Sequence, residues 1–157
     1  MHTLTLALPL LAACVMPPQG AALMQQTAQE FNLNMRFGRM ELAVEQVAPK
    51  YEPEFMKQHR AWGAVVHITD AESVGMRAHG LENYDVSVRV GWYRVDEGYL
   101  HTTTVKQHWH LYRRGWLLDN EQRMDGDIGV LGENVEILTP ETPQRSAQFP
   151  TLRLGAD

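Results

Sequence analysis

The stretch TVKQHWHLYRRGWLL, Thr104 to Leu118, decides how this chain is read. Its period is two. Val105, Gln107, Trp109 and Leu111 fall on one side, and Lys106, His108, His110 and Tyr112 on the other. An apolar side opposite a polar one marks a strand with one buried and one wet face. Arg113-Arg114-Gly115 then turns the chain into a second apolar run, Trp116 to Gln122. A turn this short joins antiparallel neighbours, because a parallel pair needs a crossover of a dozen residues or more.

Working upstream, Tyr84 to Arg94 alternates in the same way. Val86, Val88, Val90 and Trp92 share one face, and Asp85, Ser87 and Arg89 share the other. Asp96-Glu97-Gly98 has the composition of a hairpin turn into the strand from Leu100 to Tyr112. Ala64 to Asp70, AVVHITD, predicts an earlier strand. Before Gly63 the period is helical. Leu23, Thr27, Phe31 and Met35 recur every four residues, and Gly38 ends or bends that helix. Met40, Ala43, Val44 and Val47 form a second stripe, stopped at Pro49. Glu52-Pro53 restarts a third, with Phe55, Met56, His59 and Trp62 on one face. Downstream, Met124 to Gly132 is rich in Gly and Asp, and Glu133 to Leu138 is expected to add a short edge strand. Helices followed by an antiparallel meander predict an α+β fold, with the helices packed on a curved sheet.

Composition suits one packed domain: of 157 residues, 44% are apolar and 21% charged. The net charge of −5 comes from interleaved acids and bases without a basic stripe, which argues against a nucleic-acid partner. Cys14 is the only cysteine, so no internal disulfide or cysteine-based zinc site can form.

The apolar run Thr3 to Ala13, too short to span a bilayer, has the length of a signal-peptide core. Leu11-Ala12-Ala13-Cys14 resembles the bacterial lipobox. That resemblance implies a lipoprotein signal peptide over 1–13, lipidation of Cys14, and a tether over 14–20 rich in Pro and Gly. It further implies a cell-envelope protein held to the membrane by lipid, at the periplasmic face of the outer membrane, since Val15 is not Asp. The body is expected over 21–138, followed by a loosely ordered, proline-rich tail over 139–157.

The closing hairpin, with its Gln-x-Trp strand and Trp-led final strand, resembles that of the nuclear transport factor 2-like (cystatin-like) superfamily. RFGRMELAVEQVAPKYEPEF, Arg36 to Phe55, is similar to that superfamily's second and third helices. The resemblance implies a bent sheet wrapped round a long helix, a cone with an open mouth. It covers members ranging from SnoaL-like and ketosteroid-isomerase-like enzymes to proteins without activity, so fold alone assigns no function. The expected lining of the cone is Val86, Val88, Val90, Trp92, Val105, Gln107, Trp109 and Leu111, either packed against the helices or walling a groove for an apolar ligand.

An acid–base enzyme needs paired groups with separated proton affinities inside such a cavity. The first helix has no Tyr, and the strand faces expected to be buried carry no Asp or Glu. A His–Asp pair would have to come from His67, Asp70 and His101. His108 and His110 place two imidazoles on one strand face, but no third metal ligand is evident. Phosphate-loop, nucleophile-elbow and zincin motifs are absent. The sequence therefore predicts no catalytic, cofactor or metal residues. It predicts a non-catalytic module that binds an apolar ligand or a protein partner, or pairs with itself through a sheet face. The alternative is a SnoaL-like isomerase or lyase.

Overall fold

The computed structural model describes residues 20–134. Three helices, α1 (Ala21–Arg36), α2 (Met40–Val44) and α3 (Glu52–Gln58), precede four strands: β1 (Val66–Ala78), β2 (Asn83–Arg94), β3 (Leu100–Tyr112) and β4 (Gly115–Gly126). The strands form one antiparallel sheet in the order β1-β2-β3-β4, so the fold is α+β with a four-stranded meander.

α1 buries Met24, Ala28, Phe31 and Met35. Phe31 and Met35 are as expected, but the first two turns bury Met24 and Ala28 in place of Leu23 and Thr27, and Leu23 is exposed. Both phases are apolar in the first turn. Met24 and Ala28, flexible and small, fit the close approach to the sheet better than Leu23 and Thr27. Gly38, at φ 67, takes the left-handed conformation that follows the helix. Pro53 sits in the first turn of α3, where its missing N–H costs nothing. On the third stripe Phe55 and His59 are buried, but Met56 is not.

β1 runs eight residues beyond the expected end at Asp70, held by pairing with β2 as far as Ala78↔Tyr84. Register shifts at Ile68/Asp70 and Ser73/Gly75 break the alternation that would have revealed it. The strand expected from Glu133 to Leu138 falls mostly outside the described residues, as do 1–19 and the tail.

One face of the sheet carries the core. Val86, Val88, Val90 and Trp92 of β2 and Val105 and Trp109 of β3 pack against Phe31, Phe55 and Met24. Phe31 meets Trp109 edge-on at 5.4 Å. The β4 edge is closed where the α2–α3 linker adds a short parallel bridge: Ala48 N–H donates to Leu118 O and Leu118 N–H to Gln46 O, both at 2.8 Å. Trp62 Nε1–H donates to Val130 O at 2.7 Å, tying the region after β4 to the helices.

Gly126 ends β4 at φ 86, and a Cβ there would overlap the Thr102 carbonyl oxygen on β3. Gly126→Ala is expected to cost at least about 1–2 kcal/mol, the left-handed penalty alone. Denaturant unfolding checks this, and a midpoint unchanged from wild type would contradict it.

Candidate functional site

Of the two expectations for this interior, packing against the helices or walling a groove, the structure shows packing. Val88, Val90, Trp92, Val105, Gln107 and Trp109 are buried, and Trp92 and Trp109 rank among the largest fully buried side chains. Leu111 departs from the expectation: it sits at the strand's end and is 38% exposed. Trp92 Nε1–H donates to Thr103 Oγ1 at 2.9 Å.

Gln107 is not alone in this apolar layer. It opens a buried polar chain that crosses the domain. Its amide exchanges hydrogen bonds with Asn32 of α1: Gln107 Nε2 donates to Asn32 Oδ1 at 2.8 Å, and Asn32 Nδ2 donates to Gln107 Oε1 at 3.2 Å. Gln107 Nε2 also donates to Glu121 Oε1 on β4 at 2.9 Å. The other carboxylate oxygen, Glu121 Oε2, lies 3.2 Å from His59 Nε2, with both side chains almost wholly buried. The two atoms face each other without an aligned hydrogen bond. Glu121 N–H donates to the Tyr51 hydroxyl at 3.0 Å, and that hydroxyl donates to Gln58 Oε1 at 2.5 Å.

The His59 tautomer follows from its backbone partner. His59 Nδ1 lies 2.8 Å from the Phe55 carbonyl oxygen, which can only accept, so Nδ1 carries a hydrogen. In a neutral ring Nε2 would then present a lone pair to Glu121 Oε2 in a buried site. Burial, and then the Glu121 charge, push the Tyr51 phenol above its ordinary range, so it stays a neutral donor to Gln58.

Such a pair has the chemistry of a general acid or base. Four clefts are described, and neither His59 nor Glu121 lines any of them. The polar chain reaches a cleft only through Asn32, which helps line an open groove of about 650 Å³ between α1 and β1.

The expected His67, Asp70 and His101 do not converge. His67 stacks on Tyr93 at 5.2 Å. Asp70 meets Arg36 at 3.3 Å. His101 stacks on Trp92 at 4.3 Å and lies 2.9 Å from Glu97. The expectation that the buried strand faces carry no acid is corrected by Glu121.

The opposite face of the sheet, free of helices among the described residues, carries a second polar cluster. Asp85 accepts from His108 Nδ1 at 2.7 Å and from His79 Nε2 at 2.9 Å, beside a cleft of about 370 Å³. At the β3–β4 hairpin, Tyr112 Oη–H donates to Asp119 at 2.6 Å and Lys50 Nζ at 2.9 Å. Partial burial pushes the Asp119 carboxyl up, but the hydrogen bonds from Tyr112 and Lys50 outweigh it and hold it below its ordinary value. A depressed carboxyl adds stability that is complete above its unfolded value near 3.8 and is lost as pH falls through the folded one. Asp119→Asn is therefore expected to lower stability at neutral pH and to flatten its decline below pH 3.8, followed by unfolding titrations. Parallel pH curves for the two proteins would contradict this.

No family model and no curated protein matches the chain. Two solved structures are similar. A calcium/calmodulin-dependent kinase II association-domain protein from Exiguobacterium sibiricum is 14% identical, with a TM-score of 0.51 over 70% of this chain and 98% of that one. A SEC-C motif protein from Rhodopseudomonas palustris is 18% identical, with a TM-score of 0.49 over 66% of this chain and 77% of that one. These comparisons correct the lipoprotein reading. The similar fold is that of an association domain, not of a lipoprotein. Leu11 to Cys14 lie outside the described residues, so the lipobox resemblance has nothing to support it and is dropped.

Proposed function

We propose that this chain is a non-catalytic association module of the nuclear transport factor 2-like fold, which binds a second copy of itself through the helix-free face of its sheet. The observation that carries this reading is the filled interior. Two tryptophans and two phenylalanines occupy the space a ligand would need, and the buried ionisable pair touches no described cleft. The finer fold assignment draws support from the helices-then-meander order and from the likeness to an association domain, a module named for assembly. The surface for binding is then the other side of the sheet. Among the described residues no helix covers it, and it mixes half-buried Asp85, Ser87, His108, His110 and Tyr112 with exposed Tyr93 and Met124.

Light scattering on the full chain tests the reading. The expected mass is twice the 17.9 kDa of one chain. Ser87→Arg, a bulky charge in the middle of that face, is expected to weaken association at least tenfold while α1 and the core remain intact. A wild-type chain that stays monomeric at its highest soluble concentration would overturn the proposal.

The second reading is an isomerase or lyase, favoured by the enclosed His59–Glu121 pair. It requires the α1–β1 groove to open towards that pair. Turnover in a substrate screen that His59→Gln abolishes without unfolding the protein would establish it.

A further inference from the structure

We infer that His108 and His110 form a built chelate for a divalent transition-metal ion on the helix-free face, through their Nε2 atoms. The two residues stand two apart on β3, so their side chains leave the same face. About 6.4–6.8 Å separates their Cα atoms along a strand, a spacing two imidazoles can close around one ion at bond lengths of about 2.0–2.1 Å.

Spacing alone was visible in the sequence. The structure adds what sits behind each ring. The cross-strand partners of His108 and His110 on β2 are Asp85 and Asn83. His108 Nδ1 lies 2.7 Å from Asp85 Oδ1, and His110 Nδ1 lies 2.8 Å from Asn83 Oδ1. Both contacts are to oxygen acceptors, so both Nδ1 atoms carry the hydrogen. In the neutral rings both Nε2 atoms then keep a lone pair. A carboxylate or carbonyl oxygen behind the distal nitrogen is the arrangement that fixes the tautomer and raises the basicity of a metal-bound histidine.

The supports are themselves held. Asp85 is fixed from its other side by His79 Nε2 at 2.9 Å. The Tyr112 ring stands edge-on to His110 at 4.7 Å and limits that ring's rotation. Lys106, two residues earlier on the same face, opposes a cation, and the Asp85 carboxylate offsets it. The imidazole donors suit zinc, copper or nickel rather than calcium or magnesium.

No group of three or more candidate ligands occurs among the described residues, so two coordination positions stay open to water. The chelate does not depend on the association reading. If two such faces meet, the second copy can fill the open positions with the same pair, at one ion per two chains rather than one per chain, and either stoichiometry supports the site.

Zn2+ titration of the full chain by calorimetry, with the imidazole nitrogens followed by NMR, tests the inference. The expected result is binding in which the Nε2 signals of His108 and His110 move while their Nδ1 atoms remain protonated. His108→Gln and His110→Gln should each weaken Zn2+ at least tenfold. Asp85→Asn should weaken it by about 10–100-fold, as for other supporting partners, and His67→Gln should leave it unchanged. Zn2+ that leaves both rings unmoved in the wild type, or that binds the His108→Gln/His110→Gln double variant as tightly as the wild type, would overturn the site.

Discussion

Trp109→Ala is expected to lower stability by about 3–5 kcal/mol, the range for large aromatics removed from cores. Trp109 has no exposed surface, lies opposite Tyr84 and Leu118 in the sheet, and meets Phe31 edge-on. Its removal leaves a void bounded by α1 and two strands. These cannot collapse into it, because hydrogen bonding fixes the strand spacing. Its indole N–H has no partner among the described residues, so the loss is one of packing and not of a hydrogen bond. Equilibrium unfolding in urea measures the loss. A variant that unfolds within a few tenths of a kcal/mol of wild type would show that the interior is not packed as described.

The second large effect concerns the buried pair. Glu121→Ala and His59→Ala are each expected to cost about 3–5 kcal/mol, because removing one member of this buried pair opens a void and leaves the other without its partner in a low-dielectric interior. Glu121→Ala also takes an acceptor from Gln107 Nε2. The double variant is expected to cost clearly less than the sum, since it leaves neither member without its partner. Strict additivity across the cycle would mean that the two side chains do not interact.

The strands β2 and β3 are legible in the sequence because each has one buried and one wet face over eleven or more residues, which a period of two exposes. β1 is less so: its second half is exposed on nearly every residue, so only its partner strand defines it. The candidate site was hidden by a register shift. Trp109 pairs with Leu118 and Gln107 with Glu121, so the two β4 residues facing the core are three apart, not two. Strict alternation from Leu118 points Asn120 inward and Glu121 outward. The irregularity at His108/Trp109 reverses this. One signal was present. Gln107, an amide in an otherwise apolar face, needs buried partners, and Asn32, on the sequence's first helix, and Glu121 supply them. His59 could be placed on the same helical face as Phe55, but nothing in a linear pattern pairs it with a residue 62 positions later on β4. The cross-strand pairing of His108 with Asp85 and His110 with Asn83 follows from the β2–β3 register, which turn composition alone does not fix.

The association reading gives the filled interior and the uncovered sheet face one common account, and paramagnetic broadening between copies tests it most directly. A nitroxide is attached at Gln122→Cys, on the helix-free face beside Lys106, in a Cys14→Ser background. This unlabelled-isotope protein is mixed with 15N-labelled chains that carry no nitroxide, so any broadening comes from a second copy. The account predicts loss of signal at amides of β2 and β3 around Ser87, Lys106 and His108, with α1 unaffected. Full-intensity signals throughout, or broadening confined to α1 and the groove it shares with β1, would contradict it.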